Sequence, residues 1–225
     1  YLNMSKNSLN LTKDPISVLF VKIAIPSSVG TVFMTLYNLV DTYFAGKISA
    51  EALAALAQTF PVYFIIIAIG VGLSIGTTSL IANALGEKDK KKGSYYLAQS
   101  IGLSIITSIL VSLIGIYFGP SIILLMNDSE VTMKLSMEYL NIIFLGSIFI
   151  LVQMTLNSSL SAIGDTKSNR NVLIVSFFLN ILLNPLFIFG YGIIPAMGIK
   201  GIAVSTVTSQ ALGTFYIIFK VYKTE

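Results

Sequence analysis

The chain is dominated by six long apolar stretches, each able to cross a lipid bilayer. A membrane-spanning helix needs about 20 predominantly apolar residues. Six segments meet this length, and the predicted spans are 16–45, 53–84, 94–118, 133–163, 169–190 and 199–220. Only helices and closed barrels cross lipid, and runs of this length without period-two alternation exclude a barrel. The expected fold is therefore an all-α integral membrane protein, a bundle of six transmembrane helices.

The composition agrees with a membrane protein and excludes several kinds of active site. Of the 225 residues, 55% are hydrophobic and only 11% are charged, whereas a soluble domain has about 25% charged residues. Cysteine and histidine are both absent. Thiol nucleophiles, imidazole bases, disulfides and Cys/His zinc sites are therefore excluded for this chain. We expect neither an enzyme nor a resident cofactor.

The distribution of lysine and arginine predicts the orientation in the membrane. If the N-terminus is cytoplasmic, eleven of the fourteen basic residues fall in cytoplasmic segments, as the positive-inside rule requires. Residues 1–15 then form a cytoplasmic N-terminal segment, and both ends of this chain lie in the cytoplasm. The net charge of +4 is explained by topology and calls for no nucleic-acid partner. We expect a multi-pass protein of the cell membrane.

Asp41 is the only acidic residue of this sequence that lies far from any predicted loop. Eighteen uncharged residues separate it from Lys22. A charge at the centre of a bilayer costs roughly 2.5–3.5 kcal/mol on insertion scales, and such residues usually mark ion or proton paths. We interpret Asp41 as an ion-coupling residue that exchanges a proton for a cation. The alternative is a carboxylate solvated at the outer interface, since Lys47 follows only about 9 Å further along a helix.

A tyrosine and two asparagines are candidates to share this ion-coupling site. Tyr37 lies four residues before Asp41 and therefore on the same helix face. Asn180 and Asn184 are also four residues apart, in the fifth span. Two carboxamides on one stripe are able to coordinate a cation, because hard cations prefer oxygen ligands. The alternative for the two asparagines is a structural role in hydrogen bonds between helices.

Further polar residues in the spans could line a substrate cavity. Thr206 and Gln210 lie four residues apart in the sixth span and therefore on one helix face. This face is a candidate wall of the cavity, beside those of the first and fifth spans. Asn157 is another amide inside a predicted span. For each of these residues, a structural hydrogen bond between helices is the alternative.

Prolines interrupt three of the predicted spans, at Pro26, Pro61 and Pro185. Each proline removes one backbone hydrogen bond, and in lipid such a break persists only against protein or water. Pro26 and Pro185 lie in spans that contain polar residues, and we predict hinges or cavity walls there. Pro61 is interpreted as a packing kink, which is also the alternative for the other two.

The sequence resembles the multidrug and toxic compound extrusion (MATE) family of secondary transporters. The resemblance rests on NLVDTYFAG followed by EALAAL, then GLSIGTTSLIANALGEKDKKKG, LSAIGDTKSNRN, ILLNPLFIFGYG and GIKGIAVSTVTSQALG. These stretches run in the order typical of the family and cover nearly the whole chain.

The resemblance implies one lobe of a twelve-helix transporter. Members have two six-helix lobes around a central cavity, and residues 16–222 resemble the N-terminal lobe only. The C-terminal lobe is missing from this sequence, which begins at Tyr1 rather than Met, so we expect part of a longer product. Members export organic cations and drugs across the cytoplasmic membrane in exchange for protons or Na⁺. The implied partners are small organic cations, the lipid bilayer and the missing lobe.

The resemblance also assigns roles to individual residues. Asp41 matches the first-helix carboxylate implicated in coupling, and Asn180 matches a fifth-helix amide near the ion site, so Na⁺ at Asp41 and Asn180 is the one metal expected. Tyr37, Asn157 and Thr206 fall where some members line the cavity of the N-terminal lobe.

At one position the chain departs from the family pattern. Some members carry a second carboxylate where this chain has Asn184, just before Pro185. A proton relay of two carboxylates is therefore unavailable in this lobe. Asp41 alone must carry the charge here, or coupling resides in the other lobe, and the choice between Na⁺ and H⁺ stays open.

Three alternatives to an antiporter remain at this stage. A flippase for a lipid-linked precursor would need a cationic groove, and no lysine or arginine lies deep in a span except the marginal Lys22. An intramembrane enzyme would need a second acid or a metal site. An inactive half-transporter fragment is the third alternative.

Overall fold

Six long helices make up the part of the chain that the structure describes. The computed structural model describes residues 15–126 and 129–224, so nearly all of the predicted N-terminal segment 1–15 lies outside it. The first to sixth helices are Ile16–Ile48, Ala50–Gly86, Lys90–Leu124, Glu130–Ala162, Thr166–Phe189 and Ile199–Thr224. All six are long and apolar enough to cross a membrane. The predicted all-α, six-helix fold is confirmed.

The second to fifth helices begin three or four residues before the predicted apolar stretches because polar residues cap them. Each of the second to fifth helices follows a serine or aspartate whose side chain accepts a hydrogen bond from a backbone N–H of the first turn. The capping residues are Ser49, Asp89, Ser129 and Asp165. The largest difference from the predicted spans is in the third helix, which continues through Pro120 to Leu124. Hydropathy marks the part of a helix that lies in lipid, whereas the caps mark where the helix starts.

Five of the six helices form a closed ring. The fourth helix is the most buried: 61% of the residues in its most apolar stretch are buried, against 11% for the first and third helices. It packs against the second, third and sixth helices, the fifth helix packs against the first and sixth, and the first also contacts the second. The ring order is thus first, second, fourth, sixth and fifth, with the third helix outside against the second and fourth.

Small residues and hydroxyl groups hold the helices of the ring together. A Cβ atom on Gly70 would lie 2.5 Å from the Sδ atom of Met154, and one on Gly146 would overlap Val207. The hydroxyl of Ser136 donates a hydrogen bond to the carbonyl oxygen of Ala55 at 3.3 Å. Lipid supplies no hydrophobic driving force between helices, so close approach and hydrogen bonds supply the association energy.

The turn between the fifth and sixth helices fixes their register. The backbone N–H groups of Met197 and Gly198 donate to the carbonyl oxygens of Phe187 and Ile188 at 3.0 and 3.1 Å. These bonds satisfy carbonyl groups at the end of the fifth helix that would otherwise lack partners. A Cβ atom on Gly201 would lie 2.6 Å from the carbonyl carbon of Phe187. Only glycine therefore allows the start of the sixth helix to pack directly on the backbone of the fifth.

The first helix is irregular where its proline lies. Residues Phe20–Ala24 form a π-helical turn, and the buried Pro26 follows directly in the first turn of the regular helix. The hydroxyl of Thr166, at the start of the fifth helix, donates to the carbonyl oxygen of Ile23 at 3.4 Å. Pro185 lies within the fifth helix. The hinge roles of both prolines stay predictions.

We predict that Gly201→Ala destabilises the fold. The added methyl group would meet backbone atoms of the fifth helix, which have no side-chain freedom to move away. We expect the free energy of unfolding to fall by about 1–3 kcal/mol. Gly72→Ala is the matched control, because a Cβ atom there would have no atom within 4 Å. Thermal unfolding of the purified protein in detergent measures the difference, and equal midpoints for the two variants would contradict the packing described.

Candidate functional site

Asp41 lies in the interior of the helix ring. Its exposed fraction is 6%, so the described structure does not place it at a solvated surface. The nearby lysine does not neutralise it either: the Nζ atom of Lys47 lies 5.5 Å from the ring centre of Tyr43, in a cation–π contact. The alternative of a carboxylate solvated beside Lys47 is therefore not the arrangement observed.

Three neutral side chains from two other helices hold the Asp41 carboxylate. The Nδ2 atoms of Asn180 and Asn184 donate to Oδ1 of Asp41 at 2.9 and 2.8 Å. The hydroxyl of Thr206 donates to Oδ2 at 3.1 Å. The Nδ2 atom of Asn184 also lies 3.1 Å from Oδ1 of Asn180. Both asparagines are completely buried, and their spacing of four residues puts both amides on the face that meets the first helix.

The described residues supply no cationic partner to this carboxylate. The salt bridges found among them are Lys92–Glu87 and Lys200–Glu138, both involving exposed or partly exposed side chains. An isolated buried charge is strongly unfavourable unless it is paired, protonated or bound to a metal ion. Three neutral donors reduce this cost but leave the net charge in place. The site therefore favours the binding of one positive charge, as a proton or as a small cation.

Two buried oxygen atoms beside Asp41 lack hydrogen-bond partners among the described residues. They are Oδ1 of Asn184 and Oη of Tyr37, which faces the side chains of Thr206 and Asn180 without reaching hydrogen-bond geometry. Buried polar atoms are almost always paired, so each exception needs an explanation. Oxygen atoms of carboxylates, amides and hydroxyl groups are the ligands that hard cations take. Together with the carboxylate of Asp41, these two atoms fit the ligand set of such a cation.

A small cavity of about 90 Å³ lies beside the carboxylate. Its walls come from the first, second, fourth and sixth helices. The lining residues are Tyr37, Asn38, Asp41, Thr42, Leu56, Thr59, Phe60, Tyr63, Tyr139 and Thr206. A water molecule occupies about 30 Å³ in the liquid, whereas pockets for drug-sized ligands measure about 300–1,000 Å³. The cavity is therefore large enough for an inorganic cation with a few waters and too small for a drug-sized molecule.

Several cavity-lining residues were not singled out from the sequence, among them Thr59, Phe60, Tyr63 and Tyr139. Thr59 and Tyr63 lie four residues apart in the second helix, which is the same kind of spacing that drew attention to the asparagines. That spacing was the available signal for these two. Tyr139 stands alone on the fourth helix, and nothing in the linear sequence associates it with Asp41.

The structure brings some of the predicted site residues together and separates others. Asp41, Asn180, Asn184 and Thr206 form one hydrogen-bonded group, and Tyr37 lines the adjoining cavity. Asn157 and Gln210, predicted for a substrate cavity, are not among the residues that line it. The Nδ2 atom of Asn157 instead donates to Oδ1 of Asn169 at 2.9 Å. The substrate roles of Asn157 and Gln210 stay predictions.

We predict that Thr206→Val weakens the site. Valine has the shape of threonine but removes the hydroxyl that, among the described residues, donates to Oδ2 of Asp41. A hydrogen bond to a charged group contributes about 1.5–3 kcal/mol, so the free energy of unfolding should fall by about that amount. Thr206→Ser keeps the donor and should stay within about 1 kcal/mol of the wild type. Chemical unfolding of the purified protein measures both, and an unchanged Thr206→Val variant would contradict the geometry.

Comparison with known proteins places this chain in a family. A family model described as MatE matches residues 26–186. The FAD transporter of Shewanella oneidensis is 28% identical over 91% of this chain and 45% of its own length. The multidrug export protein MepA of Staphylococcus aureus is 27% identical over 92% of this chain and 46% of its own. The chain thus spans about half the length of these curated relatives.

The fold also matches solved structures. An outward-facing multidrug resistance MATE family transporter superimposes with a TM-score of 0.88 and 27% sequence identity, covering 98% of this chain and 48% of that one. The match accounts for one lobe of a transporter about twice as long, as the sequence predicted. Since the family match covers most of the chain and includes the helices that carry Asp41 and Asn180, this chain belongs to the MatE family, the multidrug and toxic compound extrusion transporters.

Proposed function

We propose that the protein carrying this lobe is a cation-coupled antiporter that exports organic cations across the cytoplasmic membrane. The observation that supports this most directly is the buried Asp41 carboxylate, held by three neutral donors. A transporter that couples to an ion needs a site whose charge is balanced only when the ion is bound. Asp41 meets this requirement within a ring of membrane-spanning helices.

In this proposal a proton or Na⁺ binds at Asp41. The ion-free carboxylate takes hydrogen bonds from the amide groups of Asn180 and Asn184. Rotating an amide by 180° would present its oxygen in place of its nitrogen, so the same side chains would serve as ligands once Na⁺ arrives. Oη of Tyr37 would complete the ligand set from the first helix. Asn184 contributes no second carboxylate, which leaves one negative charge to be balanced in this lobe.

The organic cation needs more room than the Asp41 cavity offers. A volume of about 90 Å³ is well below the 300–1,000 Å³ of drug-sized sites. We propose that bending of the first helix changes this volume, so that ion and substrate exclude one another. The π-helical turn Phe20–Ala24 directly before Pro26 supports a hinge there, because such turns mark departures from regular helix bonding.

Orientation and partner follow from the charge distribution and from the chain length. The bias of eleven basic residues to three supports cytoplasmic ends for this six-helix segment. Relatives about twice as long support a second lobe as the partner of this one. Alternating access would then come from rocking the two lobes against each other around the central cavity.

A second candidate function is export of an anionic substrate. One relative is named an FAD transporter, and a flippase for a pyrophosphate-linked lipid would make the same electrostatic demand. Both substrates would need basic side chains beside the substrate, but among the described residues the helix ring buries an acid and no lysine or arginine. The interior charge therefore favours a cationic substrate for this lobe.

The experiment is gradient-driven efflux of a fluorescent organic cation from membrane vesicles. The whole native gene is expressed as wild type and as Asp41→Asn at matched protein levels. We expect the variant to fall to the level of vesicles without the protein, because asparagine cannot carry the negative charge that the ion balances. Running the assay with a Na⁺ gradient and with a proton gradient then identifies the coupling ion.

Asp89→Asn is the control for this experiment. Asp89 is an exposed capping residue at the start of the third helix, and asparagine caps helices equally well, so export should be unchanged. Efflux by Asp41→Asn at the wild-type rate would contradict the proposal. FAD transport without organic-cation transport, or accumulation of a lipid precursor on deletion of the gene, would favour the second candidate.

A further inference from the structure

Unpaired buried polar atoms continue beyond the Asp41 site. Among the described residues, five buried side-chain oxygen atoms have no hydrogen-bond partner: those of Tyr37, Gln58, Asn157, Asn184 and Ser209. Tyr37 and Asn184 adjoin Asp41. Ser209 and Asn157 lie further toward the membrane face at which the fifth helix begins. Buried polar atoms without partners are rare in proteins, and these two lie along one line of polar side chains.

The part of this line nearest to Asp41 lies on the sixth helix. Ser209 lies three residues after Thr206 and is completely buried. Residues three apart occupy the same side of a helix, one turn apart. The fifth helix shows the same progression, because the buried Ser176 lies four residues before Asn180. On both helices that hold the carboxylate, polar groups thus continue from Asp41 toward the membrane face at which the fifth helix begins.

The second step lies where the fourth, fifth and sixth helices meet. The hydroxyl of Thr214 lies 3.5 Å from Oε1 of Gln153, and both residues are buried. A Cβ atom on Gly213 would lie 3.0 Å from Oε1 of Gln153 and 2.9 Å from Cγ1 of Val172. Glycine at this position therefore leaves room for an amide side chain between three helices.

The third step reaches the end of the bundle. Asn157 lies one turn beyond Gln153 on the fourth helix and donates to Oδ1 of Asn169 at 2.9 Å. Asn169 belongs to the first turn of the fifth helix, Thr166–Phe189. We define Ser209, Gln153, Thr214, Asn157 and Asn169 as the polar column. At a rise of 1.5 Å per residue, the steps from Thr206 to Asn157 cover about 18 Å.

We propose that the polar column is the route by which the coupling ion at Asp41 exchanges with the membrane face at which the fifth helix begins. This inference rests on the proposed function. An ion crosses an apolar bundle only where polar groups replace its water, and hydroxyl and amide oxygens at one-turn intervals do so. Because Ser209, Gln153 and Thr214 are buried in the structure described, the column must open transiently, with water entering between the fourth, fifth and sixth helices.

A purely structural role accounts for only part of the column. Polar side chains often hydrogen-bond between membrane helices, and the pairs Thr214–Gln153 and Asn157–Asn169 fit that role. The oxygen atoms of Ser209 and Asn157 bond nothing among the described residues. A structural role leaves them unexplained, whereas a route for ions and water requires oxygen atoms with free acceptor capacity.

The test uses thiols as reporters of access. This chain contains no cysteine, so Ser209→Cys and Gln153→Cys each introduce a single thiol into it, with any cysteines elsewhere in the full protein replaced. Ag⁺, a thiol-reactive cation of a size close to that of alkali ions, is added to either face of vesicles of known orientation. The thiols left unreacted are then counted with a fluorescent maleimide after denaturation.

Thr155→Cys provides the matched control. Thr155 is completely buried on the same helix as Gln153, and its hydroxyl bonds the carbonyl of Leu151 within that helix. We expect Ag⁺ from the fifth-helix-start face to react with the thiols at 209 and 153 at least about tenfold faster than at 155, since lipid and packed protein exclude ions. Equal rates at the three positions, or faster reaction from the opposite face, would overturn the proposal.

A second readout links access to transport. Gln153→Leu keeps the size of the side chain and removes its amide, so ion-driven exchange should slow by about tenfold if one polar step is lost. Thr155→Val removes a hydroxyl outside the column and should leave the rate unchanged. Ion-driven exchange at the wild-type rate in Gln153→Leu would also overturn the proposal that the polar column is the ion route. The Ag⁺ measurement needs no transport activity. It therefore tests access along the polar column separately from the efflux assay, which tests the proposed role of Asp41.

Discussion

The arrangement of this lobe depends on one buried negative charge that other helices must accommodate. A carboxylate in the interior of a membrane bundle is tolerated only with hydrogen bonds and a balancing positive charge. Asn180, Asn184 and Thr206 supply the hydrogen bonds, and the described residues leave the balancing charge to a proton or a cation. The fifth and sixth helices are therefore tied to the first at the place where an ion would bind.

The rest of the fold positions these three helices. The buried fourth helix closes the ring, and the turn after the fifth helix sets its register against the sixth by backbone hydrogen bonds and by the direct packing of Gly201. A shift in that register would move Thr206 relative to Asn184. An ion that changes the bonding at Asp41 would act on the first, fifth and sixth helices at once. The π-helical turn before Pro26 lies on the first of them, and we propose that bending there follows ion binding.

The sequence predicted the helices well because hydropathy over 20 residues reports directly on burial in lipid. The sequence also singled out Asp41 as a candidate site residue. The four-residue spacing of Asn180 and Asn184 placed their amides on one face of the fifth helix. It left open whether that face would meet Asp41 or another helix, because nothing local encodes the packing of the first helix against the fifth. Tyr63 and Tyr139 were missed for a related reason: in helices that are apolar on every side, periodicity does not reveal the face that turns inward. The sequence placed the amide of Asn157 inside a span, but the residue is only partly buried, and its contact with Asn169 depends on tertiary packing.

Infrared difference spectroscopy tests most directly whether Asp41 is where the coupling ion binds. Spectra of the purified whole protein are recorded as Na⁺ is added at constant pH, and as the pH is changed without Na⁺, for the wild type and for Asp41→Asn. Our account predicts a change in a carboxyl band of the wild type, under at least one of these conditions, that is missing from the variant. The same carboxyl difference bands in both proteins would place ion binding elsewhere and would contradict the central role of Asp41.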